Sequence, residues 1–142
     1  MTHILNTPVE NIMTDHPIKI KENVRVGMVA HLLLRYRING VLVVGKNNQN
    51  RLVGIFTTTD MLGLLDEAFS RKGNLAENLK KVSDTSVGKV ASRSVISVKA
   101  TDKILKVLTV MHEKKVHTLP VFDRKELVGV ISKHDLLDIV LR

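Results

Sequence analysis

One phrase occurs twice in this chain. Leu52-Val53-Gly54-Ile55-Phe56-Thr57-Thr58-Thr59-Asp60 returns as Leu127-Val128-Gly129-Val130-Ile131-Ser132-Lys133-His134-Asp135. Each copy is an apolar run through a glycine, then a hydroxyl residue, two further residues, an aspartate and a new apolar run. That pattern predicts a strand entering a helix, with polar side chains at the turn. The repetition extends well beyond the phrase: Met13 aligns with Ala91, Ile20 with Val98 and Val43 with Val121, all 78 positions apart. By Gly54 and Gly129 the offset has dropped to 75, so the first copy carries three extra residues, which fall in Lys46-Asn47-Asn48-Gln49-Asn50. An Asn-rich insertion belongs at a hairpin tip. The fold must therefore be built from two copies of one unit.

Each copy predicts the same order of elements. A short opening turn (Val9 to Met13; Val87 to Val90) precedes a short strand (Ile18 to Ile20; Val95 to Val98). An amphipathic helix follows, its apolar stripe read as Met28, Val29, Leu32, Leu33 and Tyr36 in the first copy. Ile104, Leu105, Leu108, Met111 and Lys115 form the corresponding stripe of the second. Asn23 and Thr101 are the candidate N-caps. A hairpin and a closing helix complete each copy. Pro120 within the hairpin predicts an edge or a strand start, since proline cannot donate to the ladder. The expected division is 1–70 for the first copy, 71–86 for a connector and 87–142 for the second. The connector is expected to hold a helix end, a loop and a short second helix.

The absence of cysteine removes disulfides and thiolate metal sites, and no apolar run approaches the ~20 residues that span a bilayer. No signal peptide is visible at the start of the chain, and a cytoplasmic setting is the expectation. Methionines 13, 28, 61 and 111 are expected as core filler, and His31 and His112 as surface or boundary residues. A net charge of +8 favours anionic partners, yet the basic residues are dispersed and aromatics that could stack bases are few. No nucleophile motif, phosphate loop or helical metal-ligand pair is present, so the expectation is a protein without catalytic activity, metal or resident cofactor.

Together with Asn11-Ile12-Met13-Thr14 and Val116-His117-Thr118-Leu119-Pro120-Val121, the doubled phrase resembles the CBS domain pair, or Bateman module, over nearly the whole chain. The resemblance implies an α+β fold of tandem βαββα repeats forming a pseudo-twofold pair, with two clefts that hold adenosine-containing ligands. It implies that Asp60 and Asp135 hold ribose hydroxyls and that Thr57 and Ser132 lie towards phosphates. It groups Thr57 and Asp60 with Ser92, Ser94 and Ile96, and Ser132 and Asp135 with Thr14, His16 and Ile18. Thr59, His134, Asn39 and His117 complete the candidate set. Strong phosphate binders of the family often carry His-Arg where this chain has His117-Thr118 and Asn39-Gly40; Lys133 and Arg93 are the cations nearest the motifs.

The implied role is a regulatory module that senses AMP, ADP, ATP or S-adenosylmethionine and signals to a regulated protein. Homodimerisation would use closing-helix residues such as Met61, Leu64, Leu65, Leu136, Leu137 and Ile139. Two alternatives stand beside it: a ligand-independent interaction module, and a basic nucleic-acid-binding protein. Spacing alone leaves another reading of each Thr/Ser-x-x-Asp turn, because a hydroxyl N-cap with an acid three residues on is also a capping box.

Overall fold

The computed structural model describes residues 2–141. In order these form α1 (Thr2–Leu5), a 3-10 turn (Val9–Asn11), β1 (Lys19–Lys21), α2 (Val26–Tyr36), β2 (Gly40–Val44), β3 (Leu52–Thr57) and α3 (Thr58–Ser70). The chain continues with α4 (Leu75–Asp84), α5 (Val87–Val90), β4 (Val98–Lys99), α6 (Ile104–Lys114), β5 (Thr118–Asp123), β6 (Glu126–Ser132) and α7 (Lys133–Leu141). The class is α+β, with two three-stranded sheets ordered β1-β2-β3 and β4-β5-β6. In each sheet the first pair is parallel and the second antiparallel.

Two compact units emerge, and each contains the opening segment of the opposite copy. Residues Ile18–Ser94 form one, and residues up to Pro17 join those from Val95 onward in the other. In the first-copy unit Val87 and Ala91 sit in the core with Ile20, Val26, Val29, Leu33, Val43 and Phe56. In the second-copy unit Val9 is fully buried among Val98, Ile104, Val107, Leu119, Val121 and Ile131, and Ile12 and Met13 pack on the same cluster.

The exchange accounts for the glycine in the doubled phrase. Ser92 exchanges both backbone hydrogen bonds with Ile55, at 2.8 and 3.0 Å, on the free edge of β3. Thr14 does the same with Val130 on β6, at 2.9 and 3.0 Å. A methyl group on Gly54 would strike the Ser92 carbonyl oxygen, and one on Gly129 would come within 2.6 Å of the Met13 sulfur and 2.7 Å of the Thr14 oxygen. Only glycine lets the incoming backbone lie this close.

The same segments cap the first helix of each sheet, which moves both helix starts from their expected places. The caps are Arg25 and Lys103, without side-chain bonds, rather than Asn23 and Thr101. Val26 N–H donates instead to the Thr85 carbonyl at 2.8 Å, and Ile104 N–H to the Thr7 carbonyl at 3.0 Å. A main-chain cap from a distant segment leaves no local sequence signal. With the starts moved, the buried stripes are Val26, Val29 and Leu33, and Ile104, Val107 and Met111. Met28, Tyr36, Leu105 and Leu108 are exposed, and Lys115 ends α6 in the left-handed region at φ 55°. Met13 and Met61 pack against the cores and Met111 is buried, but Met28 is not core filler.

Pro120 lies in the middle strand, not at an edge. Its opposite number, Val130, spends both backbone groups on Thr14, so Pro120 forms a non-hydrogen-bonded pair with β6 and its nitrogen faces the β4 side. There β4 is one residue shorter than β1. The first-copy counterpart, Leu42, donates to the Ile18 carbonyl, a bond proline cannot make. The missing donor thus shortens the neighbouring strand and leaves the central one intact.

The insertion is a hairpin loop as expected, held by Glu22, which accepts from Lys46 N–H at 3.0 Å and pairs with Arg51. Asn74 caps α4, accepting from Glu77 N–H, and buried Asn78 donates to the carbonyls of Ala68 and Arg71 at the end of α3. In the turn before α6 the Asp102 carboxylate accepts from Lys99 N–H at 2.8 Å and from Lys106 Nζ at 3.2 Å. Burial pushes the Asp102 carboxyl upward, but the Lys99 and Lys106 hydrogen bonds and charges outweigh it and hold it below the usual value of 3.8.

Gly54→Ala and Gly129→Ala should each destabilise by about 2 kcal/mol, since overpacking against backbone has no cheap relief. Gly63→Ala, with open space around the added methyl in α3, should stabilise by about 0.5–1 kcal/mol. Urea midpoints for the three variants test the contrast. The stability difference between wild type and Asp102→Asn should be complete above the ordinary carboxyl value of 3.8. It should fade as pH falls through the lowered native value, because protonation then removes in the wild type what the variant already lacks. Denaturant titrations across that range measure it.

Candidate functional site

The two turns of the doubled phrase have the same geometry. Thr57 Oγ1 accepts from Asp60 N–H at 3.2 Å, while Asp60 Oδ2 accepts from Thr57 N–H at 2.8 Å and from its hydroxyl at 3.0 Å. In the second copy Ser132 Oγ accepts from Asp135 N–H at 3.2 Å, and Asp135 Oδ2 accepts from Ser132 N–H at 2.9 Å and its hydroxyl at 3.0 Å. Both are complete capping boxes that start α3 and α7. Capping, however, occupies only Oδ2. Oδ1 of each aspartate accepts no hydrogen bond from the described residues, and each aspartate is half-exposed.

A second match lies beside each turn. Thr58 N–H donates to the Asn39 carbonyl at 2.8 Å, and Lys133 N–H to the His117 carbonyl at 2.8 Å. The residue before the middle strand is thereby joined to the first residue of the closing helix. Asn39, His117, Thr59 and His134 are all exposed there. Thr14 and Ser92, paired to the strand that leads into each turn, are exposed as well.

Each unit therefore holds one aspartate, its hydroxyl cap and the opening segment of the opposite copy. Thr57, Thr59, Asp60, Asn39, Ser92 and Ser94 fall in the first-copy unit. Ser132, His134, Asp135, His117, Thr14 and His16 fall in the second. Ile18 belongs to the first-copy unit, where its carbonyl receives the Leu42 N–H, and Ile96 packs on the second-copy core. His16 is exposed and paired with Asp15 at 3.0 Å.

Arg93 is not a free cation. Its guanidinium donates to the Gly88 carbonyl at 2.6 Å and to the Val53 carbonyl at 3.4 Å, fastening the opening segment to β3. No motif announces this role, because both acceptors are main-chain atoms. Among the described residues, no three His, Asp or Glu side chains gather as a metal site would. No described helix is long and apolar enough to cross a membrane.

The CBS domain family matches this chain at residues 9–67 and 87–142, one match per copy. The chain belongs to the CBS domain family. A homoserine O-acetyltransferase of Methanococcus vannielii is 32% identical over 133 residues, which are 93% of this chain and 24% of that protein. The chain spans a quarter to a half of the length of the curated relatives it matches first. The solved structure of protein MJ1225 from Methanocaldococcus jannaschii superposes with a TM-score of 0.81 at 28% identity, covering 95% of this chain and 48% of that one. CBSX2, solved in complex with AMP, superposes with a TM-score of 0.76 at 23% identity over 94% and 96% of the two chains, a likeness of fold.

Removing a hydroxyl cap should cost about 1 kcal/mol at either turn. Thr57→Ala and Ser132→Ala should therefore lower stability by similar amounts, as read by chemical denaturation. A much smaller loss at one turn would show that its box is not formed in solution.

Proposed function

We propose that this CBS pair is a non-catalytic regulatory module that binds an adenosine-containing ligand at the Asp60 turn, the Asp135 turn, or both. The observation that carries the proposal is the division of labour within each aspartate. Oδ2 fixes the helix start and Oδ1 is left to accept from a ribose hydroxyl. A carboxylate can serve both ends because its two oxygens are separate acceptors. Thr57, Thr59, Asn39, Ser92 and Ser94 would surround the ligand in one unit. Ser132, His134, His117, Thr14 and His16 would do so in the other. The AMP complex of CBSX2 supports this ligand class.

Among AMP, ADP, ATP and S-adenosylmethionine, longer phosphate chains fit least well in the first-copy unit, where the Arg93 guanidinium is already engaged. Ligand binding would shift the populations of two arrangements of the module, and a regulated protein would read the shift. Homodimerisation through the closing helices would use Leu62, Phe69, Leu137 and Leu141, which are exposed. Leu136 is spent on its own core, and Met61 and Leu64 pack against theirs.

A ligand present at a hundred times its Kd should add about 2.7 kcal/mol of stability, several degrees of melting temperature. Thermal unfolding with millimolar AMP, ADP, ATP and S-adenosylmethionine should show such a rise with at least one of them. Asp60→Ala and Asp135→Ala, tested singly, should each abolish binding at their own turn. No rise with any of the four would sink the reading and favour a ligand-independent interaction module.

A further inference from the structure

The internal repeat supplies its own control for ligand charge. Around the two turns the backbone is the same: a 2.8 Å bond joins Thr58 N–H to the Asn39 carbonyl, and another joins Lys133 N–H to the His117 carbonyl. The side chains on that shared frame differ in one direction. Where the first copy has Asn39, Thr58 and Thr59, the second has His117, Lys133 and His134. Three uncharged residues have become one permanent cation and two side chains of the kind that gains charge between about pH 8 and pH 5. Arg93, the cation beside the first-copy turn, spends two of its guanidinium donors on main-chain carbonyls.

We propose that the two sites take adenosine compounds of different charge. The second-copy site takes a phosphate-bearing one, held by Lys133 with His117 and His134. The first-copy site takes one without phosphate. This rests on the adenosine-binding reading above and assigns a ligand class to each of its sites. Other charged groups on the elements bordering the second turn are Asp135 and Asp138 on α7, Glu113, Lys114 and Lys115 before β5, Asp123 on β5, Glu126 on β6, and Glu10, Asp15 and His16 in the opening segment. Asp15 is paired with His16. Histidine is the side chain that gains charge as pH falls through this range, so phosphate preference should grow as protons are added. Phosphate oxygens bonded to imidazolium and ammonium donors are the stronger, charge-assisted kind.

Isothermal calorimetry with adenosine and AMP at about pH 6.5 and about pH 8 tests the proposal. The protein carries Asp60→Ala, so that only the second-copy site is read. AMP should bind about tenfold more tightly than adenosine at the lower pH, the worth of one good charge-assisted contact, and the ratio should shrink at the higher pH. Replacing the trio by its own repeat counterparts (His117→Asn, Lys133→Thr, His134→Thr) should bring the ratio near one at both values, because AMP affinity falls by more than adenosine affinity. The phosphate's own ionisation is common to both proteins, so their difference belongs to the three side chains. In an Asp135→Ala background, the reverse transplant (Asn39→His, Thr58→Lys, Thr59→His) should create AMP preference at the first-copy site. A preference that survives the triple replacement, or a ratio of one in the unaltered trio, overturns the assignment and leaves adenosine binding standing. Failure of both ligands to bind at either pH in the Asp60→Ala protein overturns the assignment, and failure in the unaltered protein as well overturns the adenosine reading with it.

Discussion

The structure depends on two short backbone pairings, Thr14 with Val130 and Ser92 with Ile55. Through them the opening segment of each copy becomes an added edge on the sheet of the other. The consequences extend to sequence positions that otherwise look unrelated. Glycine is required at 54 and 129 because main chain lies where a side chain would go. Val9 and Val87 are wholly buried although neither belongs to a strand or a long helix. Thr7 and Thr85 supply carbonyls that start the helices of the opposite copy. Arg93 serves the same junction, holding its segment by two carbonyls. A three-stranded sheet with one helix face is a marginal body by itself, and the borrowed segment supplies core residues that the sheet's own copy lacks.

What was legible in the sequence follows from what is local. The hairpins, the extra loop of the first copy and the strand-to-helix turns each depend on residues a few positions apart, and each was readable. The Thr57–Asp60 and Ser132–Asp135 spacings announced capping boxes, and capping boxes are present. The helix starts were misplaced because their caps are main-chain atoms some sixty to a hundred residues away, with no side-chain signature at Asn23 or Thr101. The buried stripes moved with them, taking Met28, Leu105 and Leu108 to the surface. Pro120 misled for a related reason. Whether a missing N–H matters depends on which neighbour it faces, and the length of β4 cannot be read from the residues around the proline. The candidate sites were visible as residue types, but the free Oδ1 and the engaged Arg93 are facts of geometry alone.

Family membership and the local chemistry bear on different parts of the function. The tandem matches establish the kind of module. The aspartate turns show how one motif could be retained for folding and still contact a ligand, since capping uses Oδ2 and leaves Oδ1 open. On the proposed reading, a substitution at Asp60 or Asp135 removes two things together, while one at Asn39 or His117 would touch recognition without disturbing the cap. Duplication has left a shared frame on which the exposed positions diverged, and that divergence is where the two halves can acquire separate tasks.

The exchange of opening segments also imposes an order of events on a ribosome. Residues Ile18–Ser94 are contiguous, so that unit has all its parts as soon as its own stretch has emerged. The other unit is different. Val9 donates to Asp102 and Thr14 pairs with Val130, so residues 9–14 must wait for partners made long after them. Until then Val9, Ile12 and Met13 remain an apolar segment without the core they join. Closing a separation of more than a hundred residues is the slow, entropically costly step for a chain of this kind. A nascent chain stalled before Val130 would hold one finished unit and one that cannot close.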